Sequence, residues 1–268
     1  MEKVKISAVQ MHSIIGDVEA NIEQVQNLIN RDIEQNVDII VLPEVWTVGW
    51  EPEEFQKSAK YTDTALEFLS NTAKKYNSWI IGGSMIIRKE NEFYNTCPVL
   101  DRNGNLVCTY EKNHLFSYYG CAEGSFIKKG TNPVMVNIEG VNVGLTICYD
   151  IRFPEIYRAY RIAGADIFVN CAAWGLNKPI PWECMTRSRA VENQTYMIAL
   201  TQSGHISGDS YNIGHSRIID YKGESLSEIK DQREGAMSAV LDISQMYEFR
   251  EKCKCIDDIK EKYEVRYE

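Results

Sequence analysis

The chain has 268 residues, 44% of them hydrophobic and 25% charged, with a formal net charge of −9. That composition supports a sizeable core and argues against disorder, and the acidic balance argues against electrostatic binding to nucleic acid or an anionic membrane surface. No run approaches the roughly 18 apolar residues of a membrane span, and the opening Met1-Glu-Lys-Val-Lys-Ile has no leader-like apolar stretch; a single soluble cytoplasmic domain over residues 1–268 is expected.

Short apolar runs alternate with amphipathic stretches. Val4 to Met11 predicts a strand. Asp17 is placed to cap a helix running to about Gln35, with Ile22, Val25, Ile29 and Ile33 on one stripe. Asp38 to Leu42 is a continuous apolar strand of the fully buried kind. Thr62 to Tyr76 predicts a second helix, Ser78 to Arg88 a strand, Phe93 to Leu100 its partner, and Asp101-Arg-Asn-Gly104 a turn. The second half repeats the order: a strand at Val141 to Ile147, a helix starting near Pro154, a strand at Asp166 to Asn170, a helix near Pro181, strands at Thr195 to Thr201 and Gly214 to Asp220, and a turn at Asp220-Tyr-Lys-Gly223. "VDIIVLPE" matches "ADIFVNCA" in place, and "DRNG" matches "DYKG". The expected fold class is therefore α/β, with two pseudo-repeated αβ halves packed as a four-layer α-β-β-α sandwich; one doubly wound sheet is the competing arrangement. From about Glu248 the chain reads as a charged C-terminal tail placed to extend over a partner subunit.

The eight cysteines, Cys97, Cys108, Cys121, Cys148, Cys171, Cys184, Cys253 and Cys255, are scattered in a chain too large to need staples, so reduced thiols are expected. Cys253-Lys-Cys255 suggests a metal, but no second pair or nearby histidine completes a tetrahedral set, and no metal is expected. Neither GxGxxG nor GxxxxGK[ST] occurs, so no nucleotide cofactor is implied.

Three strand ends or post-strand loops carry reactive groups. Glu44 in "VLPEVW" follows a buried apolar strand and is either a solvated loop acid or a group held at a cleft. Lys112 in "TYEKNHLF" is either solvated surface or part of the same cleft. Cys148 in "GLTICYDIRFPEI" ends the strand begun at Val141 and is either a small buried hydrophobe or a presented thiol. His12, His114, His205 and His215 keep a Cys–His hydrolase open as the rival arrangement.

"LPE", "YEKNHLF" and "CYDIRFPE", in that order, together with "RSRAVENQTYMIA" at 187–199, resemble the signatures of the nitrilase superfamily of carbon–nitrogen hydrolases. The resemblance runs from "ISAVQM" to the turn at Gly223 and implies a four-layer sandwich with a Glu–Lys–Cys triad at Glu44, Lys112 and Cys148. A further family glutamate best matches Glu123 in "GCAEGSF". In such a site the thiol attacks an amide carbonyl to form a thioester, and the glutamate moves the proton. The lysine and the N–H of Tyr149 stabilise the oxyanion. Around Cys148 the resemblance is closest to the omega-amidase branch, whose members hydrolyse the terminal amide of small dicarboxylic monoamides. Arg152 is then either a bidentate partner of a substrate carboxylate or a salt-bridge partner of Asp150 or Glu155. Trp174 is read as a pocket wall or as core, and Tyr118 and Tyr119 as pocket walls from a loop. An N-carbamoyl amidohydrolase and a non-catalytic binding partner of the same fold remain as alternatives, and a homodimer or higher homo-oligomer is expected.

Overall fold

The computed structural model describes residues 2–118, 120–260 and 264–267. The first half of the chain runs β1 (Lys3–Gln10), α1 (Val18–Asp32), β2 (Ile39–Val41), α2 (Pro52–Ser58), α3 (Thr62–Tyr76), β3 (Trp79–Ile81), β4 (Met85–Lys89), β5 (Glu92–Leu100), β6 (Leu106–Glu111) and the one-turn α4 (Glu123–Phe126). The second runs β7 (Val134–Ile138), β8 (Val141–Ile147), α5 (Pro154–Ile162), β9 (Ile167–Ala172), α6 (Pro179–Asn193), β10 (Tyr196–Thr201), β11 (Ser203–Ser207), β12 (Ser210–Ile213), β13 (Arg217–Ile219) and β14 (Ser225–Glu228). Then β15 (Gly235–Asp242) and α7 (Ile243–Lys252) follow.

The strands form two main sheets rather than one doubly wound sheet. One carries β15-β1-β2-β3-β5, with β4 beside β3 on one edge of β5 and β6 on the other; the second carries β7-β8-β9-β10-β13-β14. Read as β15-β1-β2-β3-β5-β6, the first sheet repeats the second strand for strand. In each, the central two pairings are parallel and the flanking three are antiparallel. The repeat extends to details. Both α3 and α6 have 15 residues and end on a non-glycine residue in the left-handed region, Asn77 (φ 51) and Gln194 (φ 52). In the two matching turns, Asp101 Oδ1 accepts from the N–H groups of Asn103 and Asn105, and Asp220 Oδ1 from those of Lys222 and Glu224.

Alternation on the strands builds the layers. Val4, Ile6, Ala8, Ile39, Val41 and Ile81 point into the core shared with the second sheet. Their neighbours Val9, Ile40 and Ile80 pack instead with Val25, Ile29, Leu69 and Ala73 of α1 and α3. On the far side α5 and α6 cover the second sheet through Tyr157, Tyr160, Trp182 and Ala190. Asp17 caps α1 by accepting from the Ala20 N–H at 3.1 Å.

Two expectations need correction. The strand expected over Ser78 to Arg88 is broken at Gly82-Gly83. Gly83 has φ +63, and a Cβ there would lie 2.1 Å from the Pro43 carbonyl oxygen. The break lets Ser84 donate its N–H to Pro43 O and accept from the Val45 N–H on its Oγ, which fixes the loop after β2. The tail expected from about Glu248 begins later, because residues 248–252 complete α7, where Arg250 is buried and donates to Gln194 O and Ala165 O. No helix among the described residues is long and apolar enough to cross a membrane.

Candidate active site

The carboxyl ends of β8 and β9 face one cleft, where αβ sheets generally present ligand groups. Glu44 lies three residues past β2, Lys112 directly after β6, and Cys148 directly after β8. Glu123 opens α4, and all four side chains are buried, Cys148 at 6% exposure and the other three at 0%. Lys112 Nζ donates to Glu44 Oε1 at 2.8 Å and to both oxygens of Glu123, at 2.9 and 3.0 Å. Two buried carboxylates around one ammonium need further donors. Asn95 Nδ2 supplies them to Glu44 Oε1 (3.0 Å) and Glu123 Oε1 (3.4 Å), the Ala173 N–H to Glu44 Oε2 (2.7 Å), and the Phe116 N–H to Glu123 Oε2 (2.6 Å). Trp50 lies over the ammonium with its ring centroid at 4.9 Å.

Cys148 starts a 3₁₀ turn, Cys148–Arg152, and holds φ +44. A non-glycine residue in that region costs on the order of 1–3 kcal/mol, a strain that persists only where surrounding contacts fix it. They do so here. Asp150 accepts from the Ile147 N–H (2.9 Å), Tyr110 Oη (2.6 Å), and the His114 N–H (3.0 Å), with His114 Nδ1 at 2.7 Å. From α6, Arg189 donates through Nε (3.1 Å) and Nη2 (2.9 Å) to Ile151 O. The turn therefore stands rigidly at the cleft, with Sγ 3.9 Å from Ala173 O.

Burial and the Glu44 charge push the Cys148 thiol well above its ordinary pKa, with Lys112 opposing them. Burial also disfavours the Lys112 ammonium, but Glu123 and Glu44 outweigh it and the lysine holds its proton more tightly than usual. Burial raises the Glu123 carboxyl, Lys112 opposes this, and Glu44 adds to it. The resting cysteine is thus a thiol beside a carboxylate, an arrangement suited to proton transfer as the sulfur attacks.

The cleft has a volume of ≈ 790 Å³ and is lined by Cys148, Tyr149, Arg152, Trp174, Trp50 and Lys178 among others. Arg152 is exposed there, with its guanidinium 5.3 Å over Trp174 and 5.9 Å over Tyr149. No carboxylate among the described residues forms an ion pair with it: of the two partners considered for a structural role, Asp150 is taken by Tyr110, His114 and Ile147, and Glu155 does not reach it. Trp174 serves both readings made of it: it is buried against Trp182 and it lines the cleft. Tyr118 is not in the cleft wall; it is exposed and packs behind Phe116 and Tyr149. Tyr119 lies outside the described residues. The Cys–His arrangement is absent among the described residues. His114 is bound to Asp150 and stacked 3.6 Å from Phe153, and His12 and His205 bond to the β11–β12 hairpin. None of the four histidines lines the cleft.

Asn95, the Ala173 N–H, Trp50 and Lys178 are not singled out by the sequence, and Arg189 stands there only as part of the motif at 187–199. Of these, Asn95 is visible in the sequence as an amide in the middle of β5, next to the apolar run that ends at Leu100.

Comparison with known proteins identifies the family. The family model for carbon–nitrogen hydrolases matches residues 5–251. A 2-oxoglutaramate amidase of Bacillus subtilis is 33% identical over 96% of this chain and 98% of its own. The omega-amidase NIT3 of Saccharomyces cerevisiae is 27% identical over 93% of this chain and 91% of its own. The crystal structure of yeast Nit3, a member of branch 10 of the nitrilase superfamily, overlays with a TM-score of 0.84 at 26% identity, covering 94% of each chain. With the family model spanning nearly all of the chain, the four-layer fold in place and a buried acid and amine close behind a thiol in the cleft wall, this chain belongs to the carbon–nitrogen hydrolases.

Proposed function

We propose that the chain hydrolyses the terminal amide of small carboxylate-bearing monoamides, the class to which the named substrate of its Bacillus subtilis relative belongs, through a thioester on Cys148. The observation that carries the reading is the buried Glu44–Lys112–Glu123 cluster beside a strained thiol, opening on a cleft with Arg152 in its wall.

In this reading Cys148 Sγ attacks the amide carbon while its proton passes to Glu44. The oxyanion is met by Lys112, which the two carboxylates keep protonated, and by the Tyr149 N–H. Collapse breaks the C–N bond, and the proton returned by Glu44 leaves with ammonia. Glu44 then takes a proton from water as it attacks the thioester, and the acid product leaves the thiol restored. Glu123, bonded to both Lys112 and the Phe116 N–H, holds the ammonium in place. Arg152 takes the substrate carboxylate.

An ammonia-release screen tests this, comparing 2-oxoglutaramate, succinamate, glutaramate, N-carbamoyl amino acids and simple nitriles. Release is expected from the monoamides and lost in Cys148→Ala, with an acyl adduct trapped on Cys148 by mass spectrometry. Glu44→Gln should lower kcat by about 10²–10⁴-fold. Arg152→Ala should raise KM for carboxylated amides far more than for neutral ones. Turnover confined to N-carbamoyl compounds, or an adduct on Cys121, the other cysteine in the cleft wall, would refute it.

A further inference from the structure

The cleft carries a second cation besides Arg152. Lys178 immediately precedes α6 and lines the cleft. Its ammonium lies 4.9 Å over the Phe116 ring, while the Arg152 guanidinium lies over Trp174 and Tyr149. Phe116 and Tyr149 meet edge to face at 5.3 Å, and Trp174 Nε1 donates to Lys178 O at 2.8 Å. One connected aromatic frame therefore carries both cations. Burial and the Arg152 charge both lower the Lys178 pKa, so without substrate the two like charges act on one another. An anion between them removes that repulsion and gains two charge-assisted contacts. The cleft wall also carries three carboxylates, Glu51 and Glu53 at the start of α2 and Asp209 at the β11–β12 turn.

We propose that Lys178 is a specificity-determining residue, forming with Arg152 a two-cation seat for the carboxylate end of the substrate. The inference rests on the amidase reading and adds to it the residue that, with Arg152, selects the acyl group. The two cations divide the task by their chemistry. The planar guanidinium, 5.3 and 5.9 Å from two ring centroids, presents paired N–H groups to one carboxylate, whereas the ammonium is a single mobile charge that reaches a carboxylate oxygen or an oxygen on the adjacent carbon. Substrates with a charged distal end are then favoured over neutral amides of equal length.

Two measurements test it. Kinetics of Lys178→Gln and Lys178→Arg on succinamate, 2-oxoglutaramate and neutral butyramide give the KM and kcat split. Lys178→Gln is expected to raise KM for the two acids about tenfold or more, the loss of one hydrogen bond between charged groups, with a much smaller effect on butyramide and with Lys178→Arg restoring most of the affinity. Calorimetry of succinamate with Cys148→Ala, with and without Lys178→Gln, reads the same seat without turnover. Affinity unaffected by Lys178→Gln, or equal loss on charged and neutral amides, overturns the proposal. Succinamate binding that depends on Lys178 in a protein that releases no ammonia sinks the amidase reading alone. Ammonia release from the monoamides with KM unmoved by Lys178→Gln sinks the seat alone.

Discussion

Cys148 stands where burial and the Glu44 charge both hold the thiol protonated and Lys112 pulls the other way. The signs give a direct test by alkylation, since iodoacetamide reacts with the thiolate. In the wild type the rate at Cys148, followed by peptide mass spectrometry, should reach half its maximum above the ordinary cysteine value of about 8.5. Glu44→Gln removes a raising influence, so the midpoint should fall. Lys112→Met removes the lowering one, so it should rise. A midpoint moved upward by Glu44→Gln would contradict the assignment of Glu44 as neighbour and base. Lys112→Met also leaves Glu44 and Glu123 buried without a cation, a change worth about 3–5 kcal/mol of stability, and denaturant unfolding should show a loss of that order. At this scale Glu44, Lys112 and Cys148 were legible because each ends or follows a strand-like run within a recognisable motif. The Ala173 N–H that orients Glu44 was not: a backbone donor has no identity in the sequence, and its partner lies 129 residues away.

Helices and turns obey local rules that sequence states openly. Thr62 to Tyr76 was legible from its apolar stripe, and its end is set by Asn77 in the left-handed region, where the N–H bonds back to Ala73 O and Lys74 O. Asn77 is exposed, so its backbone preference is separable from packing. Asn77→Ala should cost about 1–2 kcal/mol, the penalty of a Cβ in that conformation without the local bonding of asparagine. Asn77→Gly should be neutral or slightly stabilising. Thermal or urea unfolding of the pair decides this, and an alanine variant as stable as the glycine one would reject it. The broken strand at Gly82-Gly83 was missed for a reason of the same scale. Its apolar run reads as continuous, and the break comes from the close approach of Pro43, a contact between segments distant in the chain. The motif around Arg189 resembles a family signature in sequence, and its physical task, clamping the Cys148 turn through Ile151 O, depends on how α6 packs against that turn.

For the whole molecule, the decisive feature is that the last strand completes the first sheet. β15 pairs with β1 over eight residues, Lys3↔Asp242 through Gln10↔Gly235, and Ser7 Oγ and Ser238 Oγ lie 2.6 Å apart. A chain ending at Glu234 loses this strand and α7, leaving β1 as an unpaired edge beside an apolar core. We expect it to be insoluble when expressed alone and to regain solubility when a fragment of residues 235–268 is co-expressed. A soluble truncated chain with cooperative unfolding would show that β15 is dispensable.

By itself the sequence determined the alternation of strands and helices, the two-fold repetition of an αβ layer, and three reactive residues placed at strand ends. These depend on side-chain periodicity and on local backbone preference, which neighbouring residues set. Only the tertiary structure decided between the expected pair of stacked sheets and one doubly wound sheet, and showed that the chain's last strand closes the first sheet and that Asn95, the Ala173 N–H and Lys178 stand at or around the site. Those outcomes depend on pairings and close approaches between remote segments, whose energies arise when buried polar groups must find partners across the fold.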